Sequence, residues 1–190
     1  MKMRIRLSLV FLPLLSVACG SSLIVYEHPK LPDESLADFE ISSESPFTCG
    51  FNLYGNPITC QSPVVRKIDN NVGITGISQY EKTIVKSEIG KPFSIKFHAT
   101  TGWQSGTATD CISIITFIPK YKHYKIIYTT NVSLTKLESC GTIVMESKSG
   151  QWIQLDDKLI ATRHFSQPFL GDGAWASPLT EDDANRLGIK

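Results

Sequence analysis

Between Pro92 and Ala99 the chain alternates without a fault: Phe93, Ile95, Phe97 and Ala99 fall on one side, and Ser94, Lys96 and His98 on the other. A period of two places the apolar set on one face only when the backbone is extended, so this run predicts a half-buried β-strand. Cys111 to Ile118 is apolar on both faces, the mark of a central, covered strand, and Pro119 ends it because proline has no N–H to give to a ladder. His123 to Thr129 alternates again through Tyr124, Ile126 and Tyr128, and Cys140 to Met145 adds another β-rich run. Val64 to Ile68 leads into the turn-prone Asp69-Asn70-Asn71, which predicts a hairpin with Ile74 to Ser78 resuming the pairing. Residues 82–86 and 151–160 supply two further strands. Strands spaced near ten residues apart, with Gly, Pro and Asn between them, predict a mainly β fold: an antiparallel β-sandwich (Ig-like) or a small barrel. Helical character enters only at the end. Thr180 precedes Glu181, Asp182 and Asp183, a cap and acids suited to a helix N-terminus, and Gly188 closes a short C-terminal helix.

A chain of 190 residues supports one domain with a real core and little more. Its 19 Lys+Arg and 18 Asp+Glu leave a formal charge of +1, too little to gather nucleic acid, and that class of partner is set aside.

The N-terminus carries a different message. Lys2, Arg4 and Arg6 form a basic patch, followed by the apolar stretch Leu7 to Leu15. Nine residues are too few to cross a hydrocarbon core, which takes about 20 in a helix, and the pattern is that of a secretory signal peptide. Behind it, Ser16-Val17-Ala18-Cys19-Gly20 resembles the lipobox of bacterial lipoproteins. Ala18 and Val17 match that motif, whereas Ser16 stands where Leu is usual and Leu15 lies one residue early. The resemblance implies cleavage before Cys19, a diacylglyceryl thioether on its sulfur and a chain anchored to a membrane by its lipid. At roughly 0.8 kcal/mol per buried methylene, two or three acyl chains hold it there nearly permanently. Gly20 is not the Asp that usually retains such proteins at an inner membrane, which implies an outer-membrane location facing the periplasm.

Three segments follow: a signal peptide over 1–18, a lipid-anchored tether over 19–46, rich in Pro and acids, and a β domain over 47–190 with a C-terminal arm and the short helix. Loss of residues 1–18 moves the formal charge from +1 to −2. With Cys19 carrying lipid, Cys49, Cys60, Cys111 and Cys140 remain, an even number in an exported chain. Of the three possible pairings, short separations favour Cys49–Cys60 with Cys111–Cys140. No CxxC spacing occurs and no His lies within five residues of a Cys, so neither a zinc site nor any other metal or cofactor is expected.

Catalytic signatures are absent from the sequence. Ser105 sits in Gly102-Trp103-Gln104-Ser105-Gly106, which is not a G-x-S-x-G elbow, and no H-E-x-x-H or phosphate loop occurs. The pairs Asp156-Asp157 and Asp182-Asp183 suit a turn and a helix start. Two tracts carry aromatic side chains suited to a protein partner: the Gly/Thr-rich loop holding Trp103, and the Gly/Pro-rich stretch with Phe165, Phe169 and Trp175. Packing back onto the domain is the alternative use of both. The expectation is a lipid-anchored, non-catalytic envelope module that binds a protein partner. Its rivals are an immunity- or inhibitor-type lipoprotein acting on a toxin or hydrolase, and a small envelope hydrolase drawing on Ser105, His98, His123 and Asp110.

Overall fold

The computed structural model of the chain describes residues 28–46, 49–64, 76–77, 82–100, 110–133, 136–163 and 176–189. Among the described residues eleven strands form two sheets: β1 (Leu36–Ser43), β2 (Cys49–Asn56), β3 (Gln61–Val64), β4 (Gly76–Ile77), β5 (Lys82–Glu88), β6 (Phe93–Thr100), β7 (Asp110–Phe117), β8 (His123–Ser133), β9 (Lys136–Lys148), β10 (Gln151–Gln154) and β11 (Ala161–Arg163). The first sheet has the order β10-β9-β8-β1-β5 and the second β11-β7-β6-β2-β3, with β4 also on β2. A seven-residue helix, α1 (Glu181–Leu187), ends the chain, with the Thr180 hydroxyl accepting from the Asp183 N–H and Gly188 in the left-handed region, as the sequence predicts.

The sheets face each other across one core, so the architecture is a sandwich and not a closed barrel. Phe39 of β1 stacks on Phe93 of β6 with ring centroids 4.2 Å apart and meets the edge of Phe117 of β7 at 5.9 Å. Toward the other end, Phe97 of β6 stacks on Tyr128 of β8 at 5.2 Å. All five rings are buried, which makes this aromatic layer the main apolar bond between the sheets. On one flank β7 and β9 draw together across the sandwich: Cys111 and Cys140 are disulfide-bonded, and the Ser113 and Thr142 hydroxyls lie 2.8 Å apart. The Tyr128 hydroxyl donates to the Cys111 carbonyl at 2.9 Å, tying the same corner.

Four expectations change. Most pairings are antiparallel, but β1 runs parallel to β8. Residues 36–43 fall within the stretch that the sequence reading assigns to the tether, with one weak helical turn or a strand left open over Leu36 to Ile41; they form a strand hydrogen-bonded on both sides, to β5 and β8. Its Ala37, Phe39 and Ile41 are fully buried, while Asp38 and Glu40 face out toward Lys86, His123 and Lys82. Ahead of β1, the Asp33 carboxylate is held by Lys86 and Lys122 at 2.7 Å each. Those ammonium groups, Lys122 foremost, bring its pKa down to about 2.

The third change concerns Val64 to Ser78. Residues 65–75 and 78 lie outside the described residues, and with them Asp69-Asn70-Asn71 and most of both predicted arms; the described β3 and β4 on either side do not pair with each other. Both run antiparallel to β2 along the same edge, β3 beside Leu53–Asn56 and β4 beside Cys49–Gly50, so they are successive pieces of one edge line. The fourth change is the Cys49–Cys60 bridge, which does not form: both cysteines are buried free thiols. Cys49 opens β2, and Cys60 follows the turn at its far end, beside the Asn56–Gln61 pair. At about 3.3 Å per residue the strand holds them roughly 20 Å apart, against about 7 Å at most between bridged Cα atoms. Proximity in sequence was outweighed by the stiffness of the strand between them. Among the described cysteines only Cys111 and Cys140 are bridged, so the even cysteine number no longer bears on Cys19.

Candidate functional site

The two outer faces of the sandwich differ. On the second sheet Ser94, Lys96, Thr116, Tyr54 and Arg163 are all buried to below a tenth of full exposure. Part of their cover is the turn over residues 57–60, whose Pro57 carbonyl accepts from Ser94 Oγ at 2.9 Å and from Arg163 Nη1 at 2.6 Å. Arg163 also donates to the Ile58 carbonyl and touches Cys60 Sγ, whereas its Nε, like Tyr54 Oη and Thr59 Oγ1, has no hydrogen-bond partner among the described residues. A guanidinium held by neutral groups fastens the turn to the sheet. It does not make Cys60 a nucleophile, because burial pushes that thiol up to about 11 in spite of Arg163.

Burial leaves a measurable pH signature. The Cys49 and Cys60 thiols are pushed up to about 12 and about 11 by desolvation. A folded-state pKa above the unfolded value gives stability that is present below the unfolded pKa, near 9, and is lost as pH rises through the folded one. Lys96 works the other way between its lowered value of about 8 and 10.5, since burial disfavours its charged form in the fold alone. Wild type and a Cys49→Ala/Cys60→Ala variant share the Lys96 contribution. Denaturant melts at pH 9 and pH 10 should therefore show the wild type losing about 1 kcal/mol or more relative to the variant. Parallel pH profiles would contradict the buried-thiol assignment.

The first sheet's outer face is open. Ile84 is 56% and Trp152 is 39% exposed there, with Lys125 Nζ 4.2 Å above the Trp152 ring. Trp152 lies in a run read only as an added strand; its neighbours Gln151, Ile153 and Gln154 are exposed too, and nothing local in the sequence distinguishes an open sheet edge from a covered one.

A cavity closes one end of the sandwich. Tyr124 of β8 points inward, and its hydroxyl accepts from the N–H groups of Lys120 and Tyr121 at 2.7 and 3.0 Å, folding the 119–122 turn back over the core. Opposite it on β9 stands Glu146, only 5% exposed and ion-paired with Lys148 two residues on. Lys148 Nζ lies 5.0 Å from the centre of the Tyr121 ring. From the C-terminal side, α1 is clipped to the 3₁₀ turn Asp157–Leu159. Arg186 Nη1 donates to the carbonyls of Asp157, Lys158 and Ile160 at 3.2, 2.6 and 3.1 Å, and Nη2 pairs with Asp183. These elements line a cavity of about 350 Å³ that is open to solvent on one side, with Ile118, Leu155, Leu159 and Leu187 as apolar walls and Glu146 and Lys148 as polar ones.

Since α1 buries no residue, the Arg186 clip holds it in place. Arg186→Ala should speed amide exchange over residues 184–188 by about tenfold, roughly 1.4 kcal/mol, and leave the sandwich amides unchanged. Equal protection in both proteins would show that the helix is held otherwise.

Those residues singled out from sequence that are described are not gathered into one place. Cys19, Trp103, Ser105, Phe165, Phe169 and Trp175 lie outside the described residues. His98 is on the outer face of the second sheet and His123 on that of the first, 3.4 Å from Asp38, so the full sandwich separates the two. Asp110 begins β7. Asp156 caps the 3₁₀ turn that Asp157 opens, and Asp182 and Asp183 stand in the first turn of α1. Among the described residues no three His, Cys, Asp or Glu side chains are placed to hold a metal ion, and no helix is long and apolar enough to cross a membrane. Sequence reasoning missed Glu146, Lys148 and Tyr121: a lone Glu near the end of a β-run reads as an outward-facing residue until the pairing shows which face it is on. No protein-family model, curated protein or solved structure matches the chain.

Proposed function

We propose that the chain is a lipid-anchored protein of a bacterial cell envelope, held at the outer membrane on the periplasmic side, whose sandwich is a non-catalytic module that contacts a protein partner. The observation that carries this reading is the order of residues 2–20: a basic patch, a nine-residue apolar stretch, then Val17-Ala18-Cys19-Gly20. The Cys111–Cys140 bridge between the sheets supports export, because disulfides persist in oxidising compartments, and the free thiols Cys49 and Cys60 are sheltered from oxidation by burial. The open face with Trp152 and Ile84 supports a protein contact, as do Trp103, Phe165, Phe169 and Trp175 on sequence grounds. The wide separation of His98 and His123 speaks against a hydrolase built on them. Two treatments test the anchor: globomycin, an inhibitor of lipoprotein signal peptidase, and the substitution Cys19→Ser. Precursor should accumulate with the first, and the protein should leave the membrane fraction with the second. Membrane attachment unchanged by both would overturn the proposal.

A further inference from the structure

We infer that the cavity at the Glu146 end of the sandwich is a binding site for a primary ammonium carried on an apolar chain. Glu146 is more than nine-tenths buried and is one of the residues that line the cavity, a placement in which its carboxylate calls for a cation. Lys148 already supplies one. Its ammonium sits between that carboxylate and the Tyr121 ring, the charge and aromatic face that together recognise ammonium groups. Yet Lys148 reaches in from the rim with its side chain 41% exposed, so its stem does not fill the space below. About 350 Å³ bounded by Ile118, Leu155, Leu159 and Leu187 is left, within the range of small-ligand sites. A ligand that brings its own alkyl chain fills those walls while its ammonium takes the place of Lys148, which swings out to water.

The other charges at the rim fit this reading. Arg186 is engaged by three carbonyls and by Asp183, and Lys120 is exposed, where salt screens it. A carboxylate ligand of the same length would meet the buried Glu146 as a like charge. The site is independent of the anchoring proposed above.

The test uses the full-length chain, titrated calorimetrically and by thermal shift with n-butylammonium, n-hexylammonium and n-hexanoate. Hexylammonium should bind about fifteenfold tighter than butylammonium, each of its two extra methylenes being worth roughly fourfold, and should raise the melting temperature, while hexanoate should do neither. Lys148→Ala, freed of its internal competitor, should bind hexylammonium about tenfold tighter than wild type, and Glu146→Gln should lose the binding. An acetylated peptide with a central lysine, run beside the alkylamines, tells a protein-borne ammonium from a free one, and binding of either supports the site. No alkylammonium binding to wild type, no gain with chain length, or equal binding of hexanoate would overturn the inference. The wild-type series gives that answer whether or not either variant folds.

Discussion

Phe39→Ala is expected to lower the unfolding free energy by about 4 kcal/mol, the upper part of the range for a buried aromatic cut back to alanine. Phe39 is completely buried, and its ring lies 4.2 Å from Phe93, 5.3 Å from Tyr124 and 5.9 Å from Phe117, so it joins both sheets. The space left behind has little means of closing, because β1 is hydrogen-bonded to β5 on one side and β8 on the other and cannot shift inward without breaking one ladder. Urea melts of the two proteins should differ in midpoint with similar slopes. A loss under about 1.5 kcal/mol would place Phe39 outside the core layer and return residues 36–43 to a tether.

The second large effect belongs to the bridge between the sheets. Cys111→Ser with Cys140→Ser should cost about 3.6 kcal/mol, the loop-closure value for a sequence separation of 29, and lower the melting temperature by roughly 10 °C. The hydroxyl pair Ser113–Thr142 and the Tyr128 bond to the Cys111 carbonyl should survive, so the fold persists with β7 and β9 less firmly joined. Reduction of the wild type should reproduce the loss. An effect below about 1 kcal/mol would show that the flank is held by those bonds and not by the bridge.

How far the sequence could be read depended on whether a feature is local. Alternation along Phe93–Ala99, apolarity on both faces of Cys111–Phe117 and the Thr180 and Gly188 caps are local, and each corresponds to an element in its expected place. The strand β1 shows the same alternation, in Ala37, Phe39 and Ile41, but its acids suggested a spacer. They are the outward half of the strand, and what makes them acceptable there, Lys82, Lys86 and His123, lies 40 or more residues away in sequence. The parallel match of β1 to β8 and the missing Cys49–Cys60 bridge are likewise matters of which strand neighbours which. The same holds for the cavity: Glu146 acquires meaning only when β8, β9, the 119–122 turn and α1 close around it.

The most direct test of the account is the intact mass of the chain extracted from membranes, with thiols alkylated after denaturation. The expected species starts at Cys19, carries a diacylglyceryl group there, retains the Cys111–Cys140 bridge, and takes up label only at Cys49 and Cys60. A chain with label on Cys19 as well, and no lipid attached, would contradict the account.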